Sequence, residues 1–251
     1  MDEGRMKTDW DYSDRAATYD KRADYNEQAI ELLISETNCS PQKPVADIGA
    51  GTGKLTKVLA NFSLSVCAVE PNDNMRMYGK KNTSGMDVTW SEGTGEQTGL
   101  DSSSYHAAFF GSSFNVTDQK ATLQEIKRIL VPRGWFACMW NHRDLDDPLQ
   151  KKIEGIIHSF IPSYSYGSRR QNPTAVLDES GLFNHVRKIE QKFTVTMEAG
   201  DIVEAWRSHD TLFRQSSGQF DEIINSISEE LVENKYDIPY FTRIWYSRLK
   251  N

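Results

Sequence analysis

Three glycines at alternate positions, Gly49, Gly51 and Gly53, close the run Val45-Ala46-Asp47-Ile48-Gly49-Ala50-Gly51-Thr52-Gly53, with Asp47 two residues before the first of them. Glycine adds no Cβ and tolerates left-handed backbone, so a turn of this composition can bring main chain against a ligand. The acid selects which ligand. A pyrophosphate seeks the bare N–H groups of a helix N-terminus and is repelled by a carboxylate at the strand end, whereas an ammonium or hydroxyl group is attracted to it. The spacing Gly-x-Gly-x-Gly also departs from the Gly-x-Gly-x-x-Gly of a dinucleotide site. A second acid, Glu70, ends the run Leu64-Ser65-Val66-Cys67-Ala68-Val69-Glu70, 17 residues after Gly53. An acid at the end of a second strand can hold ribose hydroxyls, as it does in dinucleotide folds. The chemistry written here is recognition of a nucleotide-type cofactor that carries a cationic group.

Such a turn works between a strand that aims it and a helix that follows it. The apolar run 45–48 predicts a buried strand, and Lys54-Leu55-Thr56-Lys57-Val58-Leu59-Ala60 has the 3.6-residue apolar spacing of a helix. The alternation continues with a helix over 27–36, a strand over 65–70, a helix over 72–80 and strands near 88–90, 105–110 and 135–140. Between the last two, an amphipathic helix over 119–130 is expected to stop at Pro132-Arg133-Gly134. Alternating strands and helices predict an α/β fold with a doubly wound, mostly parallel sheet. Beyond residue 140 the pattern loosens into helices near 148–160, 173–180, 201–208 and 218–234, with strands near 185–196 and 241–249.

The 251 residues, 38% hydrophobic and 26% charged, suffice for one α/β domain with a buried core. No apolar run approaches the roughly 18 residues of a membrane span, and the acidic start Met1-Asp2-Glu3-Gly4-Arg5 is followed by no apolar h-region, so no secretory signal is expected. Cys39, Cys67 and Cys138 share no metal or redox spacing and read as core residues in a reducing compartment, which predicts a cytoplasmic protein. The histidines show no metal spacing either, so no metal is expected. A net charge of −7 disfavours a chain that grips long nucleic acid through its phosphates. Lys151-Lys152 and Arg169-Arg170 form the only basic cluster, which reads as solvated surface.

The run Asp47-Ile48-Gly49-Ala50-Gly51-Thr52-Gly53 resembles the first motif, D/E-x-G-x-G-x-G, of the class I S-adenosylmethionine-dependent methyltransferases, and the chain is similar in particular to their small-molecule, type 11-like subset. The resemblance covers most of the chain. It implies a Rossmann-like methyltransferase fold with a seven-stranded sheet, its final antiparallel pair supplied by 185–196 and 241–249, under a helical cover. It implies one domain over 1–251: an N-terminal helical lid at 1–44, a cofactor core at 45–140, an acceptor cover at 141–184, and C-terminal elements completing the sheet at 185–251. S-adenosylmethionine is the implied cofactor and S-adenosylhomocysteine its product. Gly49, Ala50, Gly51 and Gly53 would then border the methionine part, Asp47 its ammonium group and Glu70 the ribose. Pro71 to Met75 opens the helix where the family places a residue against adenine, here Met75. The segment Glu92-Gly93-Thr94-Gly95-Glu96-Gln97-Thr98-Gly99-Leu100 resembles the family's G-x-A-E-x-L-P loop, which sets Thr94, Gly95 and Glu96 beside the adenine, although Gly95 stands where the family has Ala.

Further candidates follow from the same resemblance. Tyr12 to Tyr25 is similar to the subset's lead segment, which makes Tyr19 or Tyr25 a hydroxyl donor to the cofactor carboxylate, Tyr25 also a candidate catalytic residue, and Arg22 a charge partner or lid hinge. After the fourth strand Ser112 joins the cofactor site, and Asn115 stands near the position where the subset has histidine. Asn115 either orients an acceptor, without taking a proton, or caps the next helix. The fifth strand ends Met139-Trp140-Asn141-His142-Arg143-Asp144, a candidate acceptor wall in which His142 can serve as base and Arg143 can bind an acidic substrate. The expected reaction is in-line transfer of a methyl group to an oxygen or nitrogen of a small-molecule acceptor, which needs mainly alignment and desolvation. The alternatives are a protein or peptide methyltransferase and a cofactor-binding regulatory protein without turnover. The glycine spacing disfavours a nicotinamide oxidoreductase, and the sequence is silent on oligomeric state.

Overall fold

The computed structural model describes residues 22–251, so Tyr19 and the rest of the lead segment before Arg22 lie outside the described residues. Val45–Ile48 (β1) is buried at all four positions, as a strand covered on both faces must be. It pairs in parallel with Val66–Val69 (β2) on one side and Tyr105–Gly111 (β4) on the other. Val88–Ser91 (β3) extends the sheet beyond β2, and Leu130–Arg143 (β5) extends it beyond β4, both in parallel. Lys235–Arg248 (β7) then runs antiparallel to β5, and Arg187–Glu198 (β6) antiparallel to β7, giving the order β3-β2-β1-β4-β5-β7-β6. The chain reverses direction of winding between β1 and β4, where open α/β sheets bind ligands.

Helices cover both faces. Glu27–Thr37 (α1) and Lys54–Asn61 (α2) seal one side with Ile30, Leu33, Leu55 and Leu59. Gln119–Ile129 (α4) seals the other with Leu123 and Ile126, together with Leu177 of Thr174–Glu179 (α6) and a ring cluster of Phe110, Phe114 and Phe136. Side chains start these helices: Asn26 accepts from the Ala29 N–H, Asn72 from Met75 at the head of Asp73–Asn82 (α3), Asp118 from Ala121, and Asp147 from Gln150 at the head of Pro148–Phe160 (α5). A third apolar cluster lies at the far end, where α5, Ala199–Arg207 (α7), Asp210–Gln215 (α8) and Phe220–Glu230 (α9) pack on Met197, Ile238 and Tyr240 of the β6–β7 ribbon. Among the described residues no helix is long and apolar enough to cross a membrane.

The sheet and its antiparallel end match the expectation, with three local corrections. The helix expected to reach Leu130 ends at Ile129, and Leu130 already belongs to β5. Pro132-Arg133-Gly134 is therefore no helix stop but an excursion within the strand: the pairing steps from Tyr105–Leu130 to Ala107–Trp135, with Arg133 at φ 62°. The helix expected over 218–234 ends at Glu230, and the last strand begins at Lys235 rather than 241. Pro239 lies within that strand. Its carbonyl accepts from the Asp144 N–H just past the end of β5, so its missing N–H lies on the side away from β6 and costs no ladder bond there. The short helix α8 was not foreseen.

Trp90 of β3 packs against α3 at Gly79. Its indole N–H donates to the Thr83 hydroxyl at 3.0 Å, and a Cβ placed on Gly79 would sit 2.1 Å from the ring. Gly79→Ala gains roughly 1 kcal/mol of helix propensity but forces the ring off its hydrogen bond, an overpacking of about 1–3 kcal/mol. The expected net result is a lower urea midpoint; a midpoint above that of the parent would show that the indole moves without cost.

Candidate active site at the carboxyl ends of β1, β4 and β5

The ends of β1, β4 and β5 open into a cleft lined by backbone of the glycine turn and by polar and aromatic side chains. The glycine turn forms one wall. Gly49, Gly51 and Gly53 adopt φ values of 67°, 59° and 83°, and the N–H groups of Gly49 and Ala50 both donate to the Val69 carbonyl, at 2.8 and 3.0 Å. Ser113 packs so closely that a Cβ on Gly49 would meet its Cβ at 2.6 Å. Gly49 is therefore fixed by packing, and it lines the cleft together with Ala50 and Gly51. Gly53 lies outside the cleft and opens α2.

Asp47 is completely buried beneath this turn and also lines the cleft. Its Oδ2 accepts from the Thr56 hydroxyl of α2 at 2.6 Å, while Oδ1 accepts no hydrogen bond from any described residue. Burial pushes its pKa up to about 7, helped by the nearby Glu70 carboxylate and opposed by the Thr56 bond. Glu70, at the end of β2, is held from two sides: the Gly51 N–H donates to Oε2 and the Asn72 N–H to Oε1, each at 2.9 Å. Burial raises its pKa as well. A buried carboxylate oxygen without a donor, beside a second carboxylate and a turn with no Cβ at Gly51, fits an ammonium group and hydroxyl donors and rejects a pyrophosphate.

Residues 22–26 are strapped over the cleft. The Arg22 guanidinium donates to the hydroxyl and carbonyl of Ser208, which ties the segment to the end of α7. Asn141 of β5 donates to the carbonyls of Ala23 and Asp24 and accepts from Thr242, while Lys54 pairs with Asp24 at 2.7 Å. Tyr25 is buried and shares a 2.9 Å hydrogen bond with Ser112, a residue at φ 60° at the end of β4. Tyr25, Ser112 and Arg22 thus meet at the cleft beside the glycine turn.

The adenine-side candidates do not line the cleft. Met75 borders it, its methyl 3.5 Å from the place of a Gly51 Cβ, and Pro71 lies between Glu70 and the Asn72 cap. Thr94, Gly95 and Glu96 form a loop docked on α4: Glu96 accepts from the Asp118 N–H at 2.6 Å, and a Cβ on Gly95 would press to 2.7 Å from Thr117. That packing explains glycine where the family has alanine. Asn115 neither caps α4, which Asp118 does, nor reaches the cleft; it accepts from the Trp140 indole at 2.9 Å and so braces the cleft wall from behind.

At the other end stand His142 and Arg143 of β5, Tyr166 and Arg170 from the loop after α5, Ala205 and His209 around α7, and Tyr240 of β7. Arg243 donates to His142 Nδ1 at 3.3 Å, and since arginine has no lone pair to give, this geometry uses the lone pair that a base role at Nδ1 requires. Sequence reasoning missed Tyr166, Arg170, Ala205, His209 and Tyr240. Arg170, read as solvated surface, is half-buried in the cleft, whereas Lys151 and Lys152 face solvent as expected.

The doubly wound sheet with this acid-glycine turn at its switch point is similar in fold to methyltransferase domains of the class I, S-adenosylmethionine-dependent type. Residues 46–138 match the family model described as methyltransferase domain. An uncharacterised methyltransferase of Mycobacterium tuberculosis is 31% identical over 131 residues, which is 49% of this chain and 48% of that protein. A ubiquinone/menaquinone biosynthesis C-methyltransferase of Caulobacter vibrioides is 26% identical over 53% of this chain and 57% of its own length. The chain thus spans about half the length of the curated relatives it matches. In fold it is similar to phosphoethanolamine N-methyltransferase 2 of Haemonchus contortus solved with S-adenosylmethionine, with a TM-score of 0.55, 14% identity, and coverage of 95% of this chain and 57% of that one.

The raised pKa of Asp47 carries a stability signature. Its carboxyl holds a proton more tightly folded, at about 7, than at its ordinary 3.8, so its contribution is intact below pH 4 and lost as pH rises through 7. Asp47→Asn removes that loss. The variant is expected to resist urea better than the parent at pH 8, by up to about 4 kcal/mol, with the gap closing toward pH 4. Equal midpoints at both pH values would mean that the carboxyl titrates as an ordinary one.

Proposed function

We propose that this chain transfers a methyl group from S-adenosylmethionine to an oxygen or nitrogen of a small-molecule acceptor. The observation that carries the reading is the Asp47 Oδ1 atom, buried in the cleft wall without a donor beside the Gly49-Ala50-Gly51 turn. The cofactor would supply a methyl group already activated on a sulfonium. Asp47 would hold its ammonium group and Glu70 its ribose hydroxyls, with Met75 and the Thr94-Gly95-Glu96 loop toward the adenine. Tyr25 and Ser112 would bind its carboxylate end, and the strap at 22–26 would exclude water.

The protein contributes alignment and desolvation to such a displacement rather than attack by a nucleophile of its own. The cleft walls are arranged accordingly, with the turn fixing one reactant while β5 and the loop after α5 face the other. His142 is better suited, with Nδ1 held by Arg243, to orienting an acceptor than to deprotonating it. The Caulobacter relative, named as a C-methyltransferase, makes carbon the competing acceptor atom.

Calorimetric titration of the protein with S-adenosylmethionine, S-adenosylhomocysteine and NAD tests the donor. Binding of the first two and not the third is expected, with Glu70→Ala weakening both by about tenfold or more, since the ribose then loses a charge-assisted hydrogen bond. Binding of NAD alone would overturn the reading.

A further inference from the structure

We propose that the acceptor end of the cleft recognises its small-molecule substrate through an oxyanion group, a carboxylate or a phosphate, held between the guanidinium groups of Arg143 and Arg170. The inference rests on the reading of the cleft as a methyl-transfer site and adds the substrate's charge.

Among the described residues lining the cleft, Arg22, Lys54, Arg143 and Arg170 are cationic and Asp47 alone is anionic. Asp47 belongs to the glycine-turn end, and Lys54 is already paired with Asp24. The acceptor end therefore carries an excess of positive charge inside a chain whose net charge is −7. Neither Arg143 nor Arg170 makes an ion pair with any described residue. The neighbouring charges are engaged elsewhere: Asp144 binds Lys192 at 2.8 Å, and Arg243 binds Glu190 at 2.5 Å. Glu154 attracts Arg170 electrostatically but forms no ion pair with it.

Aromatic faces hold the two arginines instead. The Arg143 guanidinium lies 4.3 Å over the Trp206 ring, and that of Arg170 lies 4.5 Å over Tyr166. A guanidinium stacked flat on a ring spends its face and keeps its N–H edge for another partner. Arg170 gives one N–H to the Arg143 carbonyl at 3.0 Å, which locks the two residues together, and the side chain of Arg143 donates to no described residue. Burial and the charges of Arg243 and Arg143 depress the Arg170 pKa, the expected strain of like charges brought together without a counter-ion. A planar carboxylate or a phosphate meets such a pair with two parallel hydrogen bonds and cancels the repulsion.

The test titrates the full chain with benzoate, phenyl phosphate and neutral benzamide, in a buffer free of carboxylate and phosphate, with and without saturating S-adenosylhomocysteine. Benzoate or phenyl phosphate is expected to bind at least ten times more tightly than benzamide. Arg143→Gln and Arg170→Gln should each weaken the anion by about tenfold or more and leave benzamide unaffected, while Arg143→Lys, which keeps the charge without the fork, recovers part of the affinity. Preference for benzoate assigns a carboxylate substrate and preference for phenyl phosphate a phosphorylated one. Benzamide binding as tightly as the anions, no binding of either anion, or anion affinity unchanged in both Gln variants would overturn the proposal. S-adenosylhomocysteine titrated alone separates the two readings: its failure to bind while anions bind through the arginines would strike the donor assignment and leave this one standing.

Discussion

Much of the structure is arranged around one carboxylate that is only half satisfied. Asp47 is placed at the bottom of the sheet's switch point because β1 is central and buried on both faces, and nothing there can hydrate an anion. Thr56 answers one oxygen from the first turn of α2. The other stays bare, and a buried charge without a partner costs several kcal/mol unless it is protonated or neutralised from outside. The surrounding backbone makes room for the outside partner. Positive φ at Gly49, Gly51 and Gly53 bends the turn away from the strand axis, while Ser113 packs against Gly49 and donates to the Ile48 carbonyl at 2.6 Å, pinning the curve. The fold thus keeps an unsatisfied group where an apolar residue would be more stable, and that is the mark of a site built for ligand rather than for stability.

How much of this was legible depends on where each signal lies in the chain. Asp47, the glycines and α2 are contiguous, so strand period, turn residues and helix period agree within a dozen positions, and Glu70 follows as the end of the next strand. The antiparallel end of the sheet was legible only through the family resemblance, since β6 and β7 are separated by the three helices α7 to α9. Proline stands within two strands for one physical reason. In sequence it is a local stop signal, yet Pro132 sits in a strand excursion and Pro239 on the side of β7 that β5 has already left, places where the sheet tolerates it.

The acceptor end was far less legible. Tyr166 and Arg170 come from a loop, Ala205 from α7, His209 from the short connection between α7 and α8, and Tyr240 from β7; they meet only because α5, α7 and α9 collapse on one apolar cluster. No spacing in the chain encodes that meeting. A charge pair such as Arg169-Arg170 is usually solvated, and the feature that takes Arg170 out of that class, the Tyr166 ring beneath its guanidinium, is a contact made across the single short 3-10 turn Gly167–Arg170, too brief to show a period in the sequence.

The two ends of the cleft are electrostatically opposite, and the opposition arises from how each charge is held. Asp47 is fixed by a short hydrogen bond from the Thr56 hydroxyl, whereas Arg143 and Arg170 are fixed by aromatic faces that steady the cation without cancelling it. Had carboxylates held the arginines, the acceptor end would be neutral and indifferent to charge. The strap from Arg22 to Asn26 closes over both ends through Ser208, Asn141 and Thr242, and water exclusion strengthens each field without moving a side chain. On the proposed reading, a cationic donor and an anionic acceptor entering such a cleft would each be drawn to one end. Orientation, which is most of what a methyl displacement asks of its catalyst, would then be supplied before either reactant touches the other.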